Sequence, residues 1–542
     1  MPVQASPKRT SKPRKIIRGH SGCKACRKRG KKCDESKPSC RACIRLHLEC
    51  SYLTDWSFRN VYQNTSQQNA CLPLCTSPLS YFDTETRYLD HFRHHVQYLL
   101  PAYSSFLALG AVQSPHLKFA VLSISASNLS MLNTAVQTRS LTHDARRSVF
   151  SPLVNQLHQA QARKYHDQAL SYCRSTDPYL TNSETDSAAI LTAYTVLAYY
   201  HHASTNHRQF RFAVWDTVRF VSRHRDILAG SETGRGALQM WYRLCVSHRL
   251  GKPPALLLEG EGESHFGPNR YPDSFQSLYL DCILGMSADD LVYDILIKTI
   301  EIRSRLVVFE AVSGCYGLSE MSRGIGGVAY NVLSHLIAEN SFMRGPHLRG
   351  LMDVQRGRLE VWKTRLARNQ WPDRVNTEFP THRDAMNALY ALLCEMMFDE
   401  SNNGGDQQNH VQRIIQILNT LDLATSATAD IYTFSLSEVL LQLALVYKSD
   451  AFFTYLLDDL WSRLETKARG YEHSHYPTHL VKRTIALLAQ YRSDGRDVRF
   501  ALPAVAEDIP KVKLMDIYHP IDLVICGCAR GGKYFVERVN LP

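Results

Sequence analysis

The chain has no apolar run long and uncharged enough to span a membrane. Residues 1–18 hold no apolar stretch of the kind a secretory signal needs; they are basic and carry Pro2, Pro7 and Pro13. There is no Walker A pattern and no nucleophile-elbow serine, so two large classes of catalyst lack their sequence signatures. Strand-like alternation is scarce, which leaves helices as the material of any large core. No acidic–hydrophobic tract of the activating kind stands out. Net charge is nearly absent past Asp55: residues 1–55 hold eight Lys and seven Arg against Asp34, Glu35, Glu49 and Asp55, a balance of +11, and the whole chain is only +12.

What is present is concentrated. Six cysteines read Cys23-x2-Cys26-x6-Cys33-x6-Cys40-x2-Cys43-x6-Cys50, and the second triplet repeats the spacing of the first. Structural zinc takes four ligands in a tetrahedron. Six thiolates close two such sites only if two of them each bridge both ions. The repeat makes the bridging pair equivalent, as Cys23 with Cys40, Cys26 with Cys43, or Cys33 with Cys50, and spacing alone does not choose. Disulfides of a secreted domain, or one zinc with two spare thiols, are the plainer readings; the matched spacings in both halves favour two zinc ions per chain.

Residues 23–50 resemble the fungal binuclear zinc cluster, including Pro38 two residues before the fourth cysteine and Asp34 just after the third. The resemblance implies that Cys23 and Cys40 bridge the two zincs, that Cys26 and Cys33 complete one site, and that Cys43 and Cys50 complete the other. It implies a nuclear transcription factor that binds double-stranded DNA at G/C-rich triplets through its first helix and acts with the transcription machinery. The fold expected is a small zinc-organised α module, with two pseudo-symmetric helix halves around a two-zinc, six-cysteine cluster, followed by a large all-α regulatory domain.

The basic residues are unequally placed. Lys24, Arg27, Lys28, Arg29, Lys31 and Lys32 crowd the first half, against Arg41 and Arg45 in the second. If each half forms a short helix, the first faces DNA, where Arg and Lys donate to guanine O6 and N7 or to phosphates. Gly30 departs from the family at a position that is usually basic; base contact then passes to Arg29 or Lys31, or the preferred triplet differs. Lys8, Arg9, Lys12, Arg14, Lys15 and Arg18 read as a nuclear-import signal or a phosphate-binding arm.

Four segments follow: a basic arm over 1–18, the cluster over 19–52, a flexible linker over 53–80 and a helical domain over 81–542. From Ser57 to Ser80 the only charge is Arg59, and six of the ten residues from Asn60 to Asn69 are Asn or Gln. Apolar heptads are not sustained there, so a homodimer would form through the helical domain; otherwise the protein binds DNA as a monomer. Cys71 and Cys75 have no partner ligands nearby in sequence and read as ordinary thiols.

Helical periodicity marks Tyr88, Leu89, Phe92, Val96 and Leu99 ahead of Pro101. It marks Ile190, Tyr194 and Leu197 behind a Ser183/Asp186 capping box, and then Phe212, Trp215, Val218, Phe220 and Val221. Met386, Leu389, Leu393 and Met397 follow Thr381/Asp384, and Leu436, Val439, Leu440, Leu443 and Val446 form another stripe. The region resembles the second class of fungal transcription-factor regulatory domain, through its helical order, Tyr165–Leu170 and the Trp215 helix. That implies a domain that senses a metabolite, binds a partner or restrains the DNA-binding module.

Other patterns carry less. Gly324-x-Gly326-x-x-Ala329 fits a dinucleotide fingerprint formally, but no strand precedes it. His473, His475 and His479 read as a surface loop, and His91, His94 and His95 as solvated or at a core edge. Asp399–Asn409 reads as a polar loop. The sequence thus predicts a non-enzymatic regulator. The alternative is a helical metabolite-binding or enzymatic protein with a vestigial zinc cluster; a structural cofactor contacting protein or RNA is a third reading.

Overall fold

In the computed structural model, the described residues are 25–26, 29, 33–34, 36, 39–48 and 50 near the N-terminus. Beyond them they are 81–100, 114–132, 155–175, 184–203, 207–248, 286–316, 345–366, 379–400, 405–467, 478–503 and 521–541. The basic arm, the linker, Cys71, Cys75, Ser183, the Gly324–Ala329 pattern, His473 and His475 lie outside them. The chain divides into two compact units, Met1–Pro78 and Leu79–Pro542.

The first unit contains helix α1, Arg41–Arg45, packed under its own small core of Cys26, Cys40 and Cys43.

The second unit is predominantly helical. Helix α2, Tyr81–His91, runs through a π-helical turn, Phe92–Val96, into Gln97–Leu99. Tyr88, Phe92, Val96 and Leu100 recur at every fourth position and are all buried; of the stripe expected from the sequence, Leu89 and Leu99 are only half-buried against the core. Helices α3 (Pro115–Leu132), α4 (Gln156–Ser175), α5 (Glu184–Ala203), α6 (His207–Gly230) and α7 (Glu232–His248) follow. α3 packs against α2, α4 and α5, and α5 against α6 and α7.

In α6 the inward set is Phe210, Val214, Val218 and Val221. Phe212 and Trp215 are instead 51% and 36% exposed, because the helical period turns them away from that stripe. Their aromatic character places them with the apolar face in the sequence pattern, and the geometry of the helix separates them from it.

The centre of the unit is α8, Ala288–Tyr316, about 44 Å long at ~1.5 Å per residue. It is surrounded by α7, by α9 (Gly345–Val361, continuing as a π-helical turn, Trp362–Leu366) and by α10 (His382–Phe398). No single stripe suffices for a helix buried on most sides, so its charges are paired inside. Lys298 donates to Asp294 at 3.0 Å, and Arg358 of α9 and the Tyr242 hydroxyl reach the same carboxylate at 2.8 and 3.0 Å. Burial pushes the Asp294 carboxyl up, but the two cations outweigh it and hold it down at about 2.

Thr381 caps α10. Its hydroxyl accepts from the Asp384 amide at 3.1 Å and donates to the Asp384 carboxylate at 2.6 Å. Helix α11, Gly405–Thr420, begins inside the stretch read as a polar loop. Buried Val411, Ile414 and Leu418 anchor it, and its polar first turn extends beyond that anchor. Next come α12 (Leu423–Ala429), α13 (Leu436–Val446), α14 (Asp450–Thr454) and a π-helical turn (Tyr455–Leu460). Then come α15 (Trp461–Lys467) and α16 (Thr478–Ser493). A full capping box between Ser435 and Glu438 starts α13.

The unit ends in an antiparallel sheet of three strands in sequence order, a departure from the all-α expectation. The strands are β1 (Arg496–Pro503), β2 (Ile521–Ala529) and β3 (Tyr534–Leu541). The β2–β3 turn closes with Gly532 at φ +78°, a left-handed position natural to glycine. The sheet buries Phe500, Val524 and Cys526 against Val307, Val308, Ala311 and Val312 on the last turns of α8. Among the described residues, no helix is long and apolar enough to cross a membrane.

Candidate metal centre and nucleic-acid interface

The second cysteine triplet shapes its own loop. Cys40 is extended at the N-cap of α1, and its carbonyl accepts from the amides of Cys43 and Ile44 at 3.0 Å each. The Cys40 amide donates to Cys50 Sγ at 3.2 Å. An amide aimed at a sulfur favours the thiolate, the form that binds metal.

α1 ends in a Schellman closure. The Leu48 amide returns to the Cys43 carbonyl at 3.0 Å and the His47 amide to Ile44 at 3.2 Å. His47 supplies the left-handed residue, at φ +49°.

Asp34 ties the two halves together. Its carboxylate accepts from the Ser36 hydroxyl at 2.7 Å and from the Arg41 amide at 3.2 Å. The Ser36 hydrogen bond first, then the Arg41 amide, hold its pKa below the ordinary carboxylate value. The negative side chain sits at the positive end of α1.

The sulfurs fall into two groups, Cys26, Cys33 and Cys40, and Cys40, Cys43 and Cys50, with the Sγ atoms of each group within 4.8 Å of one another. Cys40 belongs to both. Cys26, Cys40 and Cys43 are fully buried. Cys26 Sγ and Cys40 Sγ are 3.6 Å apart, far beyond the ~2.05 Å of a disulfide. A tetrahedral zinc with sulfur at ~2.3 Å would set its ligands about 3.8 Å apart. The residues present therefore fit zinc, and the two groups of three cysteines are those of a two-zinc, six-cysteine site.

Cys23 lies outside the described residues, as do Lys24, Arg27, Lys28, Lys31 and Lys32. Of the DNA-contact candidates only Arg29 is described. It is exposed, its amide bonded back to the Ala25 carbonyl at 3.2 Å. Around α1, Arg41 and Arg45 are exposed beside Ile44, Leu46 and Leu48, which are 60%, 40% and 40% exposed. Counting charges along the sequence misses this apolar surface; its signal is the spacing of three large aliphatic residues between cysteines that must face inward. His47 belongs to neither sulfur group.

Residues 21–57 match the family model of the fungal Zn(2)-Cys(6) binuclear cluster domain. Over 52 residues the chain is 40% identical to "Sterol uptake control protein 2" of Candida albicans (strain SC5314 / ATCC MYA-2876), a stretch covering 10% of this chain and 7% of that protein. No solved structure matches the chain. The N-terminal unit thus carries a fungal Zn(2)-Cys(6) cluster domain ahead of a large, predominantly helical region.

Proposed function

We propose that the protein is a nuclear, sequence-specific DNA-binding regulator of transcription by RNA polymerase II. In this reading Cys23, Cys26, Cys33, Cys40, Cys43 and Cys50 hold two zinc ions, with Cys40 and its repeat mate Cys23 shared. The metal supplies closure of a fold too small to close itself. The observation that carries the reading is the shared position of Cys40 between two sulfur groups, beside a charge balance of +11 packed into residues 1–55.

Lys24, Arg27, Lys28, Arg29, Lys31 and Lys32 then form the DNA-facing surface. Phosphate contacts from this set give affinity and salt dependence, and one or two of its members read base edges. The helical domain regulates, and is the surface through which a homodimer would form. The aligned Candida protein is named for sterol uptake. Its likeness here covers 52 residues, 7% of that protein, and supports at most a shared module. A metabolic or secondary-metabolite gene cluster as the target is the family-level form of the reading.

The test is selection of bound sequences from a random duplex pool by the zinc-loaded full chain at near-physiological salt, with and without a chelator. Enrichment of a G/C-rich triplet that disappears on chelation, while far-ultraviolet helicity persists, is the expected result. Binding with no enriched sequence, or enrichment indifferent to chelation, overturns the reading. Within the enriched set, Arg29→Ala should shift preference at one base pair by about 1–3 kcal/mol, whereas Lys8→Ala should weaken all sequences alike.

A further inference from the structure

The helical unit contains a cavity of about 470 Å³, within the range that small-molecule sites occupy. Its walls come from the end of the α2 segment, from α7, from the first turns of α8 and α10, and from the chain after α12. Leu99, Met386, Tyr98 and Ala429 give it apolar surface.

Both signs of charge line it, and most of those charges are already committed. Asp290 is held by Arg243 at 3.1 Å and by the Ser287 hydroxyl at 2.8 Å, and the Arg243 guanidinium lies over the Tyr293 ring at 3.1 Å. Asp430 takes His382 at 2.9 Å and the Leu436 amide at 3.3 Å. Asp384 is bound to its cap, Thr381.

Asp289 and Arg383 differ. Their contact is long, at 3.5 Å, and their side chains are 30% and 43% exposed. Asn387 steadies the other oxygen of Asp289 at 2.7 Å, and Arg383 also donates to the Tyr98 carbonyl. An exposed pair of this kind contributes little to stability, so separating it costs little.

A simple anion entering here would gain Arg383 but meet several carboxylates. A simple cation would gain Asp289 but meet two guanidiniums. A molecule carrying both signs satisfies each side of the opened pair. We propose that the cavity binds a small zwitterion with an ammonium and a carboxylate on one carbon and an apolar side chain, that is, an apolar α-amino acid or close analogue. Asp289 takes the ammonium, Arg383 the carboxylate, and Leu99 and Met386 the side chain. The site stands independently of DNA binding by the first unit.

The test is calorimetric titration of the full zinc-loaded chain with L-leucine, L-methionine and L-phenylalanine, and with 4-methylpentanoate and 3-methylbutylamine as one-charge controls. At least one amino acid should bind saturably, with both controls at least tenfold weaker. Asp289→Asn and Arg383→Gln should each weaken binding at least tenfold at unchanged helicity. Ala429→Trp, which narrows the cavity without touching a charge, should abolish binding and serves where a charge variant fails to fold. No binding by any of the three amino acids overturns the proposal. So does binding indifferent to the variants, or a one-charge control that binds as tightly.

Discussion

Cys26 Sγ and Cys40 Sγ stand 3.6 Å apart, and Cys40 is the one described residue that both sulfur groups use. The two groups therefore do not fail independently. Cys33→Ser and Cys50→Ser each remove a ligand from one group, whereas Cys40→Ser removes a ligand from both. Zinc measured by elemental analysis of the purified chain should fall by about one ion in the first two variants. It should fall nearly to zero in Cys40→Ser. Equal losses in all three would show that Cys40 is not shared.

Glu400 joins the helical core to the sheet. Its carboxylate receives Arg303 at 2.6 and 2.9 Å and Arg499 of β1 at 3.1 Å, while Arg303 also donates to the carbonyls of Leu445 and Arg499 at 3.0 Å. Burial raises the Glu400 carboxyl, but Arg303 and then Arg499 outweigh it, to about 2. Glu400→Gln leaves a buried guanidinium without its counter-charge, at a cost of about 3–5 kcal/mol. Chemical denaturation should report that loss, and faster proteolysis should begin in the sheet. An unchanged midpoint would remove Glu400 as the joint.

A buried and a half-buried histidine set an acid limit on the helical unit. Burial pushes His201, paired with His166 Nε2 at 2.9 Å, down to about 3, and it pushes His91, bonded to Asn128 at 2.9 Å, down to about 4. His95, Arg87 and His158 also lower His91. Below the unfolded histidine value of ~6.5 the unfolded chain binds protons that the folded chain refuses, so stability falls with pH from there toward the folded values. For His201 the loss by pH ~4 is roughly 3 kcal/mol. His382 runs the other way. Burial lowers it, but Asp430 lifts it above its usual value, so its contribution is full below ~6.5 and fades as pH rises through the raised pKa. Thermal midpoints between pH 7.5 and 4.5 should drop steeply on the acid side, and His201→Gln should flatten that slope. A slope the variant leaves unchanged would assign the acid sensitivity elsewhere.

Much of this is legible in the residues, and the exceptions have physical causes. Cysteine spacing announces a metal because ligand geometry is rigid, and among the described residues Cys40 falls in both sulfur groups. The stripe of α2 is readable because that helix buries one face, whereas α10 and α13 are buried on nearly every side and show through their apolar richness. α8 is not readable, because a helix surrounded by protein needs no polar face, and its charges pair across elements far apart in sequence, as Asp294 does with Arg358. The sheet escapes the pattern reading although Gly531 and Gly532 separate a pair of runs rich in Val, Ile, Tyr and Phe, which is a hairpin signal. The helical periodicity preceding it is simply longer. The Asp289–Arg383 pair joins residues far apart in the chain, and only the fold brings them together.

Helix α8 and strand β3 meet at Gly314. A methyl group there would fall 2.3 Å from the Tyr534 ring, well inside contact distance. Gly314→Ala should therefore destabilise by about 1–3 kcal/mol, although alanine is the better helix former. Tyr534→Leu in the same chain should recover part of that loss, because the offending ring is gone. A double-mutant cycle read by denaturant unfolding tests this, and strict additivity would place the cost of the alanine away from Tyr534.

The last turn of the cluster unit offers a stabilising change. His47 closes α1 at φ +49°. A residue with a Cβ is strained there by about 1–2 kcal/mol, and glycine is not. The cysteine repeat sets Gly30 opposite His47, so the first half already carries glycine at the equivalent place. His47 is exposed and belongs to neither sulfur group, so its removal costs no ligand. His47→Gly should stabilise the unit by about 0.5–1 kcal/mol after the extra freedom of glycine in the unfolded chain is counted. Zinc binding and folding are coupled in so small a unit, so the gain should appear as a roughly two- to fivefold tighter hold on zinc in competition with a chromophoric chelator. Weaker zinc retention in His47→Gly would mean that the imidazole supports the cluster in a way its backbone strain does not reveal.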